Sequence, residues 1–433
     1  VLLGIDVGSS RTKAVLLDRE GREAFTSGVA TPFRAEAGRV EMGADALRYC
    51  LQAVLADLGP RRAEVAGVGI AGMAESGAPL DAAGQALAPV IAWHDGRGEE
   101  AAATLERRFG AELPLRIGQR IRTVLTVAKL GWLVGHGMAG MVRWLGVPEL
   151  VLQGLTGEEA TEFSLAARSG CYDVASKSWM PEVPGALGFS VDVFPPVRPA
   201  GATMGLVCRD AAAWSGLPAG VPVTIAGHDH LAGMAGAGVG PGDAANSVGT
   251  AETIVARTPS LPDVAAALDQ GVRVTVYPRG QAWAALFGAA RAGLVLEAAA
   301  GALGRPLAEL DRLAAGAEPV DVGGDVVDAL AHGEPVSLPG APPGAVWAGL
   351  LQALADRTVD GYTRLTRVTG PCERLVVFGG GSTSEPWLRA KAAALPVPVV
   401  RSPVGAAVAR GAALYAGVAA GWWPDVEGVT RPR

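Results

Sequence analysis

Lysine is scarce in this chain: Lys13, Lys129, Lys177 and Lys391 are the only four among 37 basic residues, set against 43 acidic ones. No run of lysine or arginine occurs, and a net charge of −6 argues against a nucleic-acid-binding surface. Cysteine is equally sparse. Cys50, Cys171, Cys208 and Cys372 are scattered without a CxxC pair, so free thiols in a reducing compartment fit better than disulfides or zinc. Long hydrophobic runs are also missing. Apolar residues make up 49% of the chain, but Ala and Gly supply much of the apolar character, and no unbroken stretch approaches the roughly 20 residues of a membrane span. Arg291, Glu297 and Arg305 interrupt the richest candidate. Residues 1–7 carry no basic leader, so no signal peptide is expected. No GxGxxG follows the first strand with a helix behind it, which argues against a dinucleotide-dependent dehydrogenase.

Glycine, by contrast, is plentiful, with 60 residues, and its placement is informative. Residues 2–18 read LLGIDVGSSRTKAVLLD, two apolar runs around Gly8, Ser9, Ser10, Arg11 and Thr12. Small residues at the tip let backbone amides converge, as an anion-binding turn requires. Ser10 and Thr12 add hydroxyls, Lys13 adds a cation, and Asp6 sits where the strand ends. A carboxylate beside a phosphate-sized nest usually serves a divalent cation, which bridges oxygens of like charge. Taken alone, the stretch reads equally well as a tight β-hairpin held by turn hydrogen bonds.

The 433 residues predict two or three domains of mixed α/β type. Leu47, Leu51, Val54, Leu55 and Leu58 recur at helical spacing over 45–58, and residues 99–109 form a charged amphipathic helix. Residues 125–144 read as one apolar helix, and 162–173 as a polar loop. A strand at 221–226 empties into Gly227-His228-Asp229-His230. Residues 244–256 then repeat the opening: strand, a Gly249-Thr250 turn, strand. A long amphipathic helix spans 345–367, and a buried strand at 375–378 enters Gly379-Gly380-Gly381-Ser382. Two halves that each begin with a glycine-turn hairpin mark a duplicated domain, with a ligand expected in the cleft between them.

Assembled in this order, these motifs resemble the FGGY carbohydrate kinases of the actin, Hsp70 and hexokinase superfamily. IDVGSSRTK looks like the first phosphate motif and SVGTAET like the second. AWHDGR matches a Trp-x-Asp-x-Arg segment, AGHDH the segment with the catalytic aspartate, and VVFGGGSTS the adenosine-side motif. The long stretch WLGVPELVLQGLTGEEATEFSLAARSGCYD matches the family's middle region. The resemblance implies two ribonuclease-H-like (actin-like ATPase) domains, 1–235 and 236–433, closing over ATP, Mg2+ and a sugar.

It further implies Asp229 as general base, with Asp6 and Asp229 serving the magnesium. Gly8, Ser9, Ser10, Thr12 and Lys13 would meet the β- and γ-phosphates, Gly249 and Thr250 the terminal phosphate, and Gly380, Gly381 and Ser384 the adenosine. Ala74, Glu75, Trp93, Asp95, His228 and His230 would line the sugar side. Trp93 could equally be core, and Arg97 is expected to pair with a carboxylate. Two imidazoles at i and i+2 without a third ligand are more often structural than metal-binding. Glu252 and Thr253 could reach the cleft. Lys13 stands where some members have Arg, and lacks the bidentate fork.

The specificity residues mix subfamilies. A pentulose or hexulose is the expected substrate, with a glycerol- or erythritol-type polyol, or a catalytically silent regulator, as alternatives. The segment 303–345 is shorter than the family's usual one, which touches the adenine pocket. A cytoplasmic enzyme without nucleic-acid or membrane partners is expected, with a homodimer as one possible assembly.

Overall fold

A computed structural model describes residues 1–138 and 140–430. Two six-stranded sheets organise it. In the first, Leu2–Val7 runs antiparallel to Arg11–Leu17, which pairs with Glu23–Ala30. On its other side Leu2–Val7 is parallel to Gly67–Gly72, and that strand to Pro222–His228; Gly205–Leu206 closes the edge. In the second sheet Ala244–Val248, Glu252–Thr258 and Trp283–Ala290 form the antiparallel set, with Arg273–Val276 at the edge. Leu375–Phe378 and Val399–Arg401 extend it in parallel. The two sheets therefore share one core order, three antiparallel strands and then two parallel strands beside the first of them, although in the second sheet the edge strand Arg273–Val276 precedes the third in sequence. The duplication read from the glycine turns is a duplication of topology.

Local sequence explains most elements. Ala44–Ala56 buries Leu47, Cys50, Leu51, Val54 and Leu55, one stripe at helical spacing against the first sheet. Leu2–Val7 is buried along its whole length, as a central strand covered on both faces requires. Pro343–Thr369 is the long helix expected, and it covers the second sheet with Trp347, Leu350, Leu351 and Leu354.

Two readings are corrected. The apolar run 125–144 is not one helix. Thr126–Gly135 stops at His136-Gly137, where Gly137 takes a φ of 82°, and Arg143–Gly146 is a strand paired with Gly77–Leu80. Composition concealed the break because helix and buried strand both demand apolar residues there. The polar stretch 162–173 is not a surface loop either. Phe163–Ala166 is a short helix, and Glu162, Ser164, Arg168 and Ser169 are all buried.

The segment 303–345 forms an ordered helical layer. Leu307–Ala314 and Gly324–His332 pack Leu310, Val327 and Leu330 against the long helix, and Trp347 Nε1 donates to Asp311 Oδ1 at 2.7 Å.

The halves are joined by two small-residue helices. Asp229–Ala237 follows the last long strand of the first sheet, and Ala407–Ala419, from the end of the chain, returns to cover that sheet. Its backbone lies so close to the sheet that a Cβ at Gly69 would overlap Ala412 O. Where the two helices cross, a Cβ at Gly236 would overlap Ala407 O and one at Gly411 would overlap Ala232 O. Only glycine permits that separation. All four cysteines are free, and no described helix is long and apolar enough to cross a membrane.

Candidate active site

The first turn is built at the end of Leu2–Val7. Gly8 N donates to Arg11 O at 3.1 Å, closing the turn, and Thr31 Oγ1 donates to Gly8 O at 2.7 Å. Asp6 and Lys13 are cross-strand partners, so both side chains share one face. Asp6 is buried, and its Oδ1 has no protein hydrogen-bond partner. Burial first, then the charge of Asp229, pushes its carboxyl up from 3.8 to about 7, with Lys13 pulling the other way.

The second turn faces the first. Gly249 N donates to Ala251 O at 3.0 Å, and Gly293 N donates to Thr250 O at 3.1 Å, tying the turn to Ala292–Leu303. Ser10 Oγ and Thr250 Oγ1 lie 3.5 Å apart. The glycine run after Leu375–Phe378 packs over Val248, the residue before this turn: Gly379 sits at φ 98°, in van der Waals conflict with any Cβ there. Gly380 faces open space. Ser384 Oγ is buried without a partner.

Asp229 opens the helix Asp229–Ala237 directly after the strand Pro222–His228. Its Oδ1 accepts from His230 N at 2.6 Å and lies 3.2 Å from His228 Nε2. The two imidazoles meet edge to face, 5.0 Å between centroids. Burial holds both below the usual histidine range and so favours the neutral ring in each. Donor atoms of His228, Asp229 and His230 lie within 4.8 Å of one another, close enough to hold a cation. Behind them Ser164 Oγ accepts from His228 N at 2.9 Å and donates to Glu162 Oε2 at 2.5 Å. Burial raises the Glu162 carboxyl to about 8.

Glu75 holds a left-handed backbone, φ 58°, unusual outside glycine and asparagine. Its buried carboxylate is ion-paired with Arg168. Ala74 is buried beside it. Trp93 is clamped through its main chain: its N–H donates to Ser76 Oγ at 2.8 Å, and Lys129 Nζ donates to its carbonyl at 3.2 Å. Its ring packs partly on the first core.

The structure gives some expected contacts a different job. Asp95 is 1% exposed and accepts two bonds at 2.8 Å from Arg97 and one at 2.7 Å from Val40 N. Arg97 also pairs with Glu41, as a carboxylate-seeking arginine should. Thr12 is fully buried, its hydroxyl 3.1 Å from Thr31 Oγ1, so it braces the Gly8 turn from behind. Glu252 does not reach the cleft. It is enclosed beneath the second turn, with Lys391 Nζ and Thr358 Oγ1 donating to its Oε1 at 2.6 and 2.8 Å.

Arg168, Arg122 and Arg273 were not among the expected site residues. Arg168 lies within the quoted middle stretch, where only its place among small residues could have marked it; Arg273 lies on an edge strand of the second half, and nothing local marks it.

The family model described as FGGY family of carbohydrate kinases, N-terminal domain, matches residues 1–236, and its C-terminal counterpart matches 329–420. An L-fuculokinase from Salmonella typhi is 27% identical over 448 residues, covering 98% of this chain and 92% of that one. A glycerol kinase from Aromatoleum aromaticum is 26% identical over 98% of this chain and 91% of its own. Among solved structures, a xyloylose kinase from Brucella ovis superposes with a TM-score of 0.85 at 23% identity, covering 100% of this chain and 92% of that one, which shows the shared fold. With a duplicated α/β topology, two facing glycine turns and family-model matches in both halves, the chain belongs to the FGGY family of carbohydrate kinases.

Proposed function

We propose that this cleft phosphorylates one hydroxyl of a small polyhydroxylated substrate, with ATP as donor and Asp229 as general base. The observation that carries the reading is the meeting of the two turns, Ser10 Oγ to Thr250 Oγ1 at 3.5 Å, with Asp229 close enough to raise the Asp6 pKa. A sugar hydroxyl is a poor nucleophile until a positioned carboxylate accepts its proton. In the step, the substrate oxygen forms a bond to the γ-phosphorus while the bridging oxygen departs with its electron pair on ADP. The hydroxyl proton passes to Asp229. His230 N and His228 hold the Asp229 carboxylate in place and leave its other oxygen for the substrate.

Gly8, Ser9, Ser10 and Lys13 serve the β- and γ-phosphates in this reading, and Gly249 and Thr250 the terminal one. Gly380, Gly381 and Ser384 serve the adenosine. The orphaned buried Oδ1 of Asp6 suits a divalent cation, since a carboxylate pushed toward neutrality by burial and by Asp229 gains most from positive charge. Asp6, with Asp229, would hold magnesium, which supplies neutralisation of phosphoryl charge when bound. The chain divides functionally at 235/236, and closure of the halves excludes water from the phosphoryl group.

The test is Asp229→Ala in a coupled ADP-release assay over ketoses, polyols and sugar acids. Loss of substrate-dependent ADP release with unchanged circular dichroism is expected. A variant that keeps more than a small fraction of the rate removes Asp229 from the role of base.

A further inference from the structure

The substrate side of the cleft carries positive charge that phosphoryl transfer does not use. Arg168 spends its guanidinium on Glu75. The guanidinium groups of Arg122, which is exposed, and Arg273, which is half-buried, have no hydrogen bond or ion pair among the described residues. Arg273 lies on the edge strand Arg273–Val276 of the second sheet. That strand is pinned across the seam to the first half: Val274 N donates to Gly118 O at 2.8 Å, and Trp283 Nε1 to Val174 O at 2.8 Å. Arg122 follows Gly118 by four residues and so stands at the same seam.

The charge of Arg273 acts on Arg168, Glu75, Arg122, His228 and His230. Asp6 instead feels Asp229 and Lys13. Phe163–Ala166, whose Ser164 Oγ accepts from His228 N, packs against Arg273–Val276, and Arg168, two residues beyond it, pairs with Glu75, so the arginines gather on the His228 side of Asp229. Burial and the neighbouring arginines pull Arg273 down to about 9, the mark of a cation short of counter-charge. Sugar hydroxyls can accept from a guanidinium, but they leave its charge uncompensated as the cleft closes. A carboxylate compensates it and matches its planar fork with two parallel bonds.

We propose that the substrate is a sugar acid, a small polyhydroxylated carboxylate whose acid group docks on Arg273 and Arg122 while one of its hydroxyls lies at Asp229. This deepens the kinase reading and rests on it.

The experiment sets aldonates against the alditols of the same carbon skeleton, D-gluconate with D-glucitol and D-ribonate with ribitol, and against ketoses, in the ADP-release assay. Binding of each is followed in parallel by calorimetry, without ATP. The aldonates are expected to exceed their alditols in kcat/KM by about tenfold or more. Arg273→Gln is expected to raise KM for the aldonate on the order of tenfold to a hundredfold, with kcat within about threefold and the alditol KM unmoved. Preference for neutral sugars, or an equal effect of Arg273→Gln on both partners of a pair, overturns the acid assignment and leaves the kinase standing. Arg273-dependent aldonate binding without ADP release from any compound supports the acid site and overturns the kinase. No aldonate binding at all overturns the acid site.

Discussion

Lys391 Nζ lies 2.6 Å from Glu252 Oε1 in the interior of the second half, and both side chains are 1% exposed or less. Asn246 and Thr358 complete the cluster: Lys391 Nζ donates to Asn246 Oδ1 at 2.6 Å, and Asn246 Nδ2 to Glu252 Oε1 at 2.9 Å. Glu252 begins the strand that leaves the Gly249-Thr250 turn, and Lys391 lies on Glu385–Ala394, the helix that follows the glycine run. The pair thus ties the Gly249-Thr250 turn to the helix behind the glycine run.

Removing one partner strands a buried charge. Lys391→Met is expected to cost about 3–5 kcal/mol in denaturant unfolding, and Lys391→Met with Glu252→Gln to recover most of that. Equal losses in the single and double variants would show that the pair is not coupled.

Acidity at Asp6 predicts a pH dependence of cation and nucleotide binding. Its carboxyl is raised to about 7 by burial and by Asp229, so the unliganded site is mostly protonated below that pH and mostly ionised above it. Cation binding competes with that proton, and magnesium-dependent ADP affinity should fall up to about tenfold for each pH unit below 7. Calorimetry at pH 6, 7 and 8 reads this directly. Asp6→Asn should bind weakly at every pH and lose the slope.

A second buried carboxyl predicts how stability varies with pH. Glu162 is raised to about 8 by burial, although its bonds with Ser164 oppose the shift, whereas an unfolded glutamate titrates near 4.5. Between these values the folded chain holds a proton that the unfolded chain releases. Stability therefore declines as pH rises from 4.5 to 8, by up to about 1.4 kcal/mol per unit from this group. Glu162→Gln should flatten that decline relative to wild type in urea unfolding series. An unchanged slope would mean that Glu162 is ionised in the fold.

Helix crossing at Gly236 and Gly411 sets a steric prediction. Gly411→Ala places a methyl group on Ala232 O and is expected to cost about 1–3 kcal/mol. Gly301→Ala, in Ala292–Leu303 with open space around it, should stabilise by about 0.5–1 kcal/mol. Paired thermal melts distinguish crowding at the crossing from a general effect of replacing helical glycine.

The glycine-turn hairpins at residues 8–12 and 249–251 were legible because a turn and its flanking strands are decided by neighbouring residues. The same holds for the stripe in Ala44–Ala56 and for Leu375–Phe378, whose periodicity and apolar run need no distant partner. The break before Trp144 was not legible, since a buried strand and a buried helix ask for the same composition.

Within the site, the sequence by itself determined which residue types stand at the strand ends: Asp6, Thr250 and Asp229. Tertiary structure alone decided where their neighbours' side chains go. It turned Thr12 and Glu252 inward, gave Glu75 to Arg168, and set the edge strand that carries Arg273 against the first half. The physical reason is the range of the forces involved. Backbone hydrogen bonding and hydrophobic periodicity act between near neighbours in the chain, whereas charge compensation is settled by whichever distant segment packing brings within a few ångströms.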